Sequence, residues 1–514
     1  MPTLTPRIPG RLARRPAGRT LAGRTLASCT RRTRRALTTT ALSALTAMTS
    51  LAGATGCARN PVTGQRELAL VSEQQEIAMG QQAAQEVGQT IGLIKDDALQ
   101  QYVQKVGASL AAESERPGLP WTFRVVDDPT PNAFALPGGF IFVTRGLMDL
   151  MNSEAELATV IGHEIGHVTA RHSVQQISRA QLAQLGLGLG AVLSPTLARY
   201  GDLVGSGLQL LFLKYGRDDE RQADELGFKY ALQENYDVRE MADVFAALQR
   251  ESAAAGQSPL PTWLASHPDP GERIKNTERR LAALNRPLGN ALSNERQYMQ
   301  HVEGLVYGVN PRQGFFKGSS FIHPDLRFRL DFPSGWQAQN TSAAVVAVSQ
   351  QQDAIIQLTL AQGDPVTAAR TFLSQQGVQA GRTFQQPING VPAAGSYFQA
   401  QTEQGTIQGI VSYFSYGGQT YQLLSYAPAG RLEQYDAVFQ HTVASFSPLT
   451  DPQLLNVQPR RVDVVTIERP MTLAEFAQRY PSAVPIEEIA RINQLPDTNA
   501  QLPAGALVKR VIES

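Results

Sequence analysis

The sequence predicts an α+β chain: a mainly helical body with a small β-sheet, then a separate α+β domain, then a small βααβ unit. Three observations predict this. Apolar residues recur at helical spacing with few breakers over 72–112, 153–177 and 218–234. Beyond about residue 300 the pattern turns to alternation, as in Leu326, Phe328, Leu330 and Phe332. From residue 460 two short helical stretches lie between two strand-like ones. The chain has 514 residues, 42% hydrophobic and 18% charged, which is enough apolar material for several cores.

Residues 1–57 read as an export signal. The first 35 hold ten arginines and no acid, and 36–56 are uncharged and end in small residues. Thr33-Arg34-Arg35-Ala36-Leu37 has a weak twin-arginine character. Cys57 follows Ala54-Thr55-Gly56, which resembles a bacterial lipobox, although Leu is preferred where Ala54 stands. That placement predicts lipidation of Cys57, and so a membrane anchor that does not span the bilayer. Without its basic start the chain is acidic, which excludes a global basic field for nucleic acid. Cys29 and Cys57 are the two cysteines, too few for a disulfide framework or a Cys-rich zinc site.

The first body is expected over 58–295. Ser72 and Asp96 or Asp97 suit the caps of its first two helices. Trp121–Val126 reads as a strand, and Asn132–Val143 as a hairpin turning at Pro137-Gly138-Gly139. One helix is expected over 153–177, with Ser153 and Glu156 as a capping box. The apolar, Gly-rich stretch 180–213 reads as two packed helices rather than a membrane-dipping hairpin, since neither half reaches ~20 apolar residues. A separate α+β domain is expected over 315–450, with turns at Asn389-Gly390, Gln404-Gly405 and Gly417-Gly418. It holds no evident catalytic cluster.

The chemistry concentrates in His163-Glu164-Ile165-Gly166-His167. Histidines at i and i+4 share one helix face and can share a zinc ion, and Glu164 lies where it can reach a water beside it. The surrounding residues are Val160, Ile161, Ile165 and Val168, so these polar groups need partners. A third ligand is required. On one continuous helix, His172 would sit about 140° from His167, which favours a structural role. Ala170 and Ser173 also occupy the positions where a metzincin has Gly and His. Glu220 is the better candidate, with Asp224 one turn later to orient a ligand histidine. Tyr215 and Arg217 are candidates to support an oxyanion.

Asn132–Gly139, His163-Glu-x-x-His167, Glu220-x-x-x-Asp224 and Ser266-His267-Pro268 occur in the order of the HtpX- and BepA-like gluzincins, which this chain resembles over about residues 58–285. Asn60-Pro61-Val62-Thr63-Gly64 is similar to the periplasmic lipoprotein members. The resemblance implies a zincin-type fold and one Zn2+ per chain on His163, His167 and Glu220. It implies Glu164 as the catalytic base, Asp224 as the group orienting a ligand, and His267 as a further site residue. It implies Asn132, Ala133, Phe134 and Ala135 as an edge to which substrate backbone pairs. The implied substrates are unfolded or misassembled envelope proteins in the periplasm. BepA-type helical repeats at a period near 34 residues are absent from the C-terminal half. Residues 460–514 resemble a LysM module, which implies peptidoglycan as a partner. The competing expectation is an envelope or peptidoglycan-binding scaffold with a latent protease domain.

Overall fold

The computed structural model describes residues 57–184, 210, 213–254 and 263–513, apart from 286, 342, 403 and 404. The expected export signal before Cys57 and most of 180–213 lie outside the described residues. Among the described residues, no helix is long and apolar enough to cross a membrane.

The chain starts with a hairpin of β1 (Cys57–Arg59) and β2 (Arg66–Leu68). Asn60 shapes its turn by accepting from Val62 N and Thr63 N, and its amide donates to Ala170 O at 3.0 Å. Helices α1 (Glu73–Thr90) and α2 (Asp97–Ala112) follow, capped by Ser72 and Asp96. A small sheet is built from β3 (Thr122–Val126), β4 (Ala133–Leu136) and β5 (Phe140–Thr144), in the order β3-β5-β4. Strand β5 is parallel to β3 and antiparallel to β4. Gly138 and Gly139 supply the positive φ angles of the β4–β5 turn, 80° and 101°.

After α3 (Arg145–Leu150) comes α4 (Glu154–Thr169), which carries both histidines of the motif. The single helix expected over 153–177 is two. It breaks at Arg171, which takes φ 60°, and α5 (His172–Gln184) starts afresh. Arginine is a good helix former, so nothing local signals this break. Tertiary bonds hold it: the Arg171 guanidinium donates to Glu76 and to Val71 O. The expected capping box is also only half made. Ser153 caps α4, but the Glu156 carboxylate accepts from Asn152 N and Gln494 instead.

Helix α6 (Arg217–Gln233) crosses α4 almost backbone to backbone. A Cβ on Gly227 would stand 2.6 Å from His163 N, and one on Gly162 would stand 3.1 Å from Gly227 Cα. The bare glycines bring the first turn of α6 up to the histidine face. Helices α7 (Glu240–Ala254), α8 (Trp263–Ser266), α9 (Pro270–Ala283) and α10 (Glu295–Val302) close the helical body. Its core joins Ile161 and Ile165 of α4 with Phe123, Ile141, Phe245 and Trp263, and continues through Tyr298, Val302 and Leu305.

The next region is rich in sheet. Strands β6 (Phe315–Lys317), β7 (Ser320–His323) and β8 (Phe328–Asp331) form a small sheet. A seven-stranded antiparallel sheet follows, running between edges at residues 378–385 and 337–340. Helix α11 (Pro365–Leu373) covers one face against Phe398 and Tyr413. Helix α12 (Leu432–Ser445) covers the other against Phe414, Tyr421 and Leu423.

The last unit has the expected β-α-α-β order. Residues 460–466 pair with 507–513, enclosing α13 (Leu473–Arg479) and α14 (Ile486–Ile492). It packs directly on the helical body, through a contact with no sequence signature. Lys509 is fully buried, and its Nζ donates to Asp149 O at 2.6 Å and Met151 O at 2.8 Å. Those carbonyls end α3, where a helix favours a cation. Gln494 donates to Leu150 O and to Glu156, and Arg491 pairs with Glu251.

This junction is pH-sensitive. Burial raises Asp149 to about 7 from 3.8, against the pull of Arg145 and Lys509. Burial likewise pushes Glu156 up and Lys509 down. Asp149 binds its proton more tightly folded than unfolded, so its contribution is complete below about pH 3.8 and is lost as pH rises through about 7. The Asp149→Asn variant is therefore expected to lose less stability than the wild type between pH 4 and 7. Urea midpoints across that range test this, and parallel curves would contradict it.

Candidate metal centre

His163 and His167 stand one turn apart on α4, and Glu220 enters from the first turn of α6. His267 follows directly after α8. All four side chains are buried, and each offers one ligand atom within 4.8 Å of the other three. His163 Nε2 and His167 Nε2 are 3.0 Å apart. Glu220 Oε2 lies 3.6 Å from His163 Nε2, and Oε1 lies 3.5 Å from His167 Nε2. Tetrahedral zinc with nitrogen ligands at 2.0–2.1 Å sets ligand atoms about 3.3 Å apart. The donor set is also what zinc prefers, two imidazoles and a carboxylate, so the residues fit the ion.

The fit extends outwards. Asp224 Oδ1 meets His163 Nδ1 at 2.9 Å, so Nε2 is left to face the centre. Arg273 holds Asp224 through Nε at 2.9 Å and Nη2 at 2.5 Å, and its Nη1 lies 3.1 Å from Glu220 Oε2. Its guanidinium lies against the edge of the stacked Phe245–Trp263 pair, 4.1 and 4.2 Å from their ring centres. His172 Nδ1 meets His167 Nδ1 at 2.9 Å, and its Nε2 meets Gln222 Oε1 at 3.0 Å. The helix break at Arg171 brings His172 back against His167, so it positions that ring from behind. Tyr215 stacks on His167 at 3.8 Å, with its hydroxyl on Ser173.

Burial pushes His163 down to about 3, reinforced by Arg273. A neutral imidazole is the form that donates a lone pair to a metal. For Glu220, burial works upwards but His267 and Arg273 outweigh it and hold the carboxyl well below its usual range. Asp224 is likewise held low by Arg273 and His163 against burial. Glu164 goes the other way: burial raises it to about 7. Both Glu164 oxygens are buried without a close, well-aligned hydrogen bond: Trp263 is the neighbouring donor, and His267 Nε2 stands 3.5 Å from Oε1. A buried, under-satisfied carboxylate beside a metal-type donor set is suited to meet a group from outside the protein. His267 also reaches inwards, with Nδ1 3.2 Å from His163 Nε2 and 3.0 Å from Glu220 Oε1, its ring stacked on Trp263.

The structure brings together His163, Glu164, His167, Glu220, Asp224 and His267. Ala133, Phe134 and Ala135 lie in β4, and Asn132 just before it. Strand β4 packs on α4, and its far side carries no strand among the described residues. Cys57 opens β1. Arg217 does not join the centre: its side chain is 73% exposed and pairs with Asp269. Arg273 and Trp263 are additions that the sequence reading lacks. Each is a lone residue on a distant helix, and no spacing rule links it to the motif.

Relatives share this part of the chain. The chain is 33% identical over 229 residues to the mitochondrial metalloendopeptidase OMA1 of Schizosaccharomyces pombe, covering 42% of this chain and 64% of that protein. It is 28% identical over 229 residues to the beta-barrel assembly-enhancing protease of Yersinia pestis, covering 43% and 46%. It is 35% identical over 186 residues to the mitochondrial metalloendopeptidase OMA1 of Arabidopsis thaliana, covering 36% of each. In every case the chain spans less than two thirds of the relative's length. Residues 97–281, which contain every side chain of this centre from His163 to Arg273, match the model of Peptidase family M48.

Proposed function

We propose that this chain is a zinc-dependent endopeptidase, with one Zn2+ held by His163, His167 and Glu220. The observation that carries the reading is the convergence of those three donors at zinc-like spacing beside the buried, under-satisfied carboxylate of Glu164. Zinc, when bound, is a Lewis acid that polarises a peptide carbonyl and brings the pKa of water towards neutrality. Glu164 takes the proton of the attacking water and delivers it to the leaving amine. Burial raises its pKa, which favours holding that proton between the two halves of the exchange. Asp224 and His172 hold the ligand imidazoles from behind. His267 reaches the reacting space from the side of Trp263, where it can steady developing charge. Asn132–Ala135, at the sheet edge formed by β4, are the backbone along which a substrate strand would pair.

The substrates in this reading are unfolded or misassembled proteins of the bacterial envelope. Similarity to the beta-barrel assembly-enhancing protease of Yersinia pestis supports that setting. The lipobox-like run before Cys57 supports a lipid anchor on the periplasmic side, and the βααβ order of 460–513 supports a LysM-like module facing peptidoglycan. The separate hydrophobic cores support, within this reading, a protease domain over 58–295 and an α+β domain over 315–450.

The test is cleavage of unfolded casein by the purified protein. Cleavage is expected to stop after chelation and to return with stoichiometric zinc. Zinc-loaded protein that cleaves nothing would favour the scaffold reading.

A further inference from the structure

A second buried polar cluster lies away from the metal centre, around Glu76 of α1. The side chain is 1% exposed and fully engaged. Its Oε1 accepts from Arg116 Nη1 at 2.8 Å and from Gly138 N at 3.3 Å. Its Oε2 accepts from Arg116 Nη2 and Arg171 Nε, each at 3.1 Å. Arg116 Nη1 also donates to Val168 O at 3.0 Å, in the last turn of α4 beside His167. One carboxylate thus joins three parts: the N-terminal helix, the turn that ends β4, and the end of the helix bearing the histidines.

The join is tight. A Cβ on Gly80 would stand 1.8 Å from Pro137 O, and one on Gly138 would stand 2.6 Å from Ile77 Cα, so α1 lies directly on the turn. At the other end, Arg171 sits in the left-handed region at φ 60°, a position where helices usually place glycine. A simple helix stop would be less strained with glycine. Arginine adds the guanidinium that reaches Glu76 and Val71 O.

We propose that Glu76 is a positioning residue that fixes the edge strand β4 relative to the metal centre, and so sets how tightly an extended peptide pairs there. This rests on reading the site as a peptidase with β4 as the substrate edge. A peptide strand must lie about 4.8 Å from β4 while its carbonyl meets the centre, so a small drift of the edge costs binding.

The test compares wild type, Glu76→Gln and Arg171→Gly for KM, kcat, zinc content and melting temperature on unfolded casein. Arg171→Gly cuts the link while relieving backbone strain, so it is expected to melt near the wild type and keeps the test open if Glu76→Gln folds poorly. Both variants are expected to raise KM about tenfold, with kcat and zinc content within about twofold of wild type. In a Glu164→Gln background, the same changes are expected to weaken binding of a fluorescein-labelled casein peptide about tenfold, independently of cleavage. Unchanged peptide affinity in folded, zinc-loaded variants overturns the proposal. Absence of wild-type cleavage with the affinity loss intact counts against the peptidase reading alone.

Discussion

Glu164→Gln is expected to lower kcat about a hundred- to ten-thousand-fold while leaving KM and zinc content near wild type. The amide matches the carboxylate in shape, so the buried space is kept. What it lacks is the ability to take a proton from water and return it to the leaving amine. Burial raises the wild-type carboxyl, and a bound zinc ion would pull it back towards the ionised form that accepts the proton. Among the described residues of the centre, no other carboxylate is placed to stand in for it. Glu220 is held low by His267 and Arg273, and Asp224 is engaged by His163 and Arg273. Steady-state kinetics on unfolded casein, with metal analysis of the same samples, checks this. Wild-type kcat in the variant would assign the proton transfer elsewhere.

The largest effect on stability is expected at the opposite end of α4. Lys509→Met is expected to destabilise the folded chain by roughly 2–5 kcal/mol, because two buried carbonyls lose a charged donor at about 1–3 kcal/mol each. The lysine is wholly buried and serves two carbonyls, Asp149 O and Met151 O. Methionine fills the space but leaves both without their donor, next to the carboxyls of Asp149 and Glu156. The last strand would then hold less firmly to the helical body, because Gln494 and Arg491 sit on the same face of contact. Urea unfolding measures the loss, and a change below about 1 kcal/mol would show that the ammonium is replaceable by apolar packing.

How much of this was legible in the sequence depends on how local each signal is. His163, Glu164 and His167 lie within five residues, and helical geometry alone puts them on neighbouring faces. Glu220 and Asp224 repeat the same spacing on a second helix. What pairs the two helices is the run of Gly162, Gly166, Ala223 and Gly227, which spacing rules do not single out. The break at Arg171 was not legible, because a good helix former stops the helix only through bonds to Glu76 and Val71, about 100 residues earlier. That break also changes the role of His172, which a continuous helix would have turned away from His167. Arg273 and Trp263 come from segments beyond the motif and meet it only in three dimensions. A lysine in an alternating strand reads as exposed, so the burial of Lys509 could not be anticipated. The seven-stranded sheet lies in the α+β domain expected over 315–450 from alternation and turn signals, and its order follows from pairing that no single segment encodes.

The most direct measurement is the zinc content of the purified chain and of Glu220→Ala, by elemental analysis after dialysis against metal-free buffer. Wild type is expected to hold one zinc per chain, and the variant close to none, because two histidines alone leave the ion short of a ligand. A wild type that holds no zinc, or a variant that keeps it in full, would contradict a metal centre built on His163, His167 and Glu220.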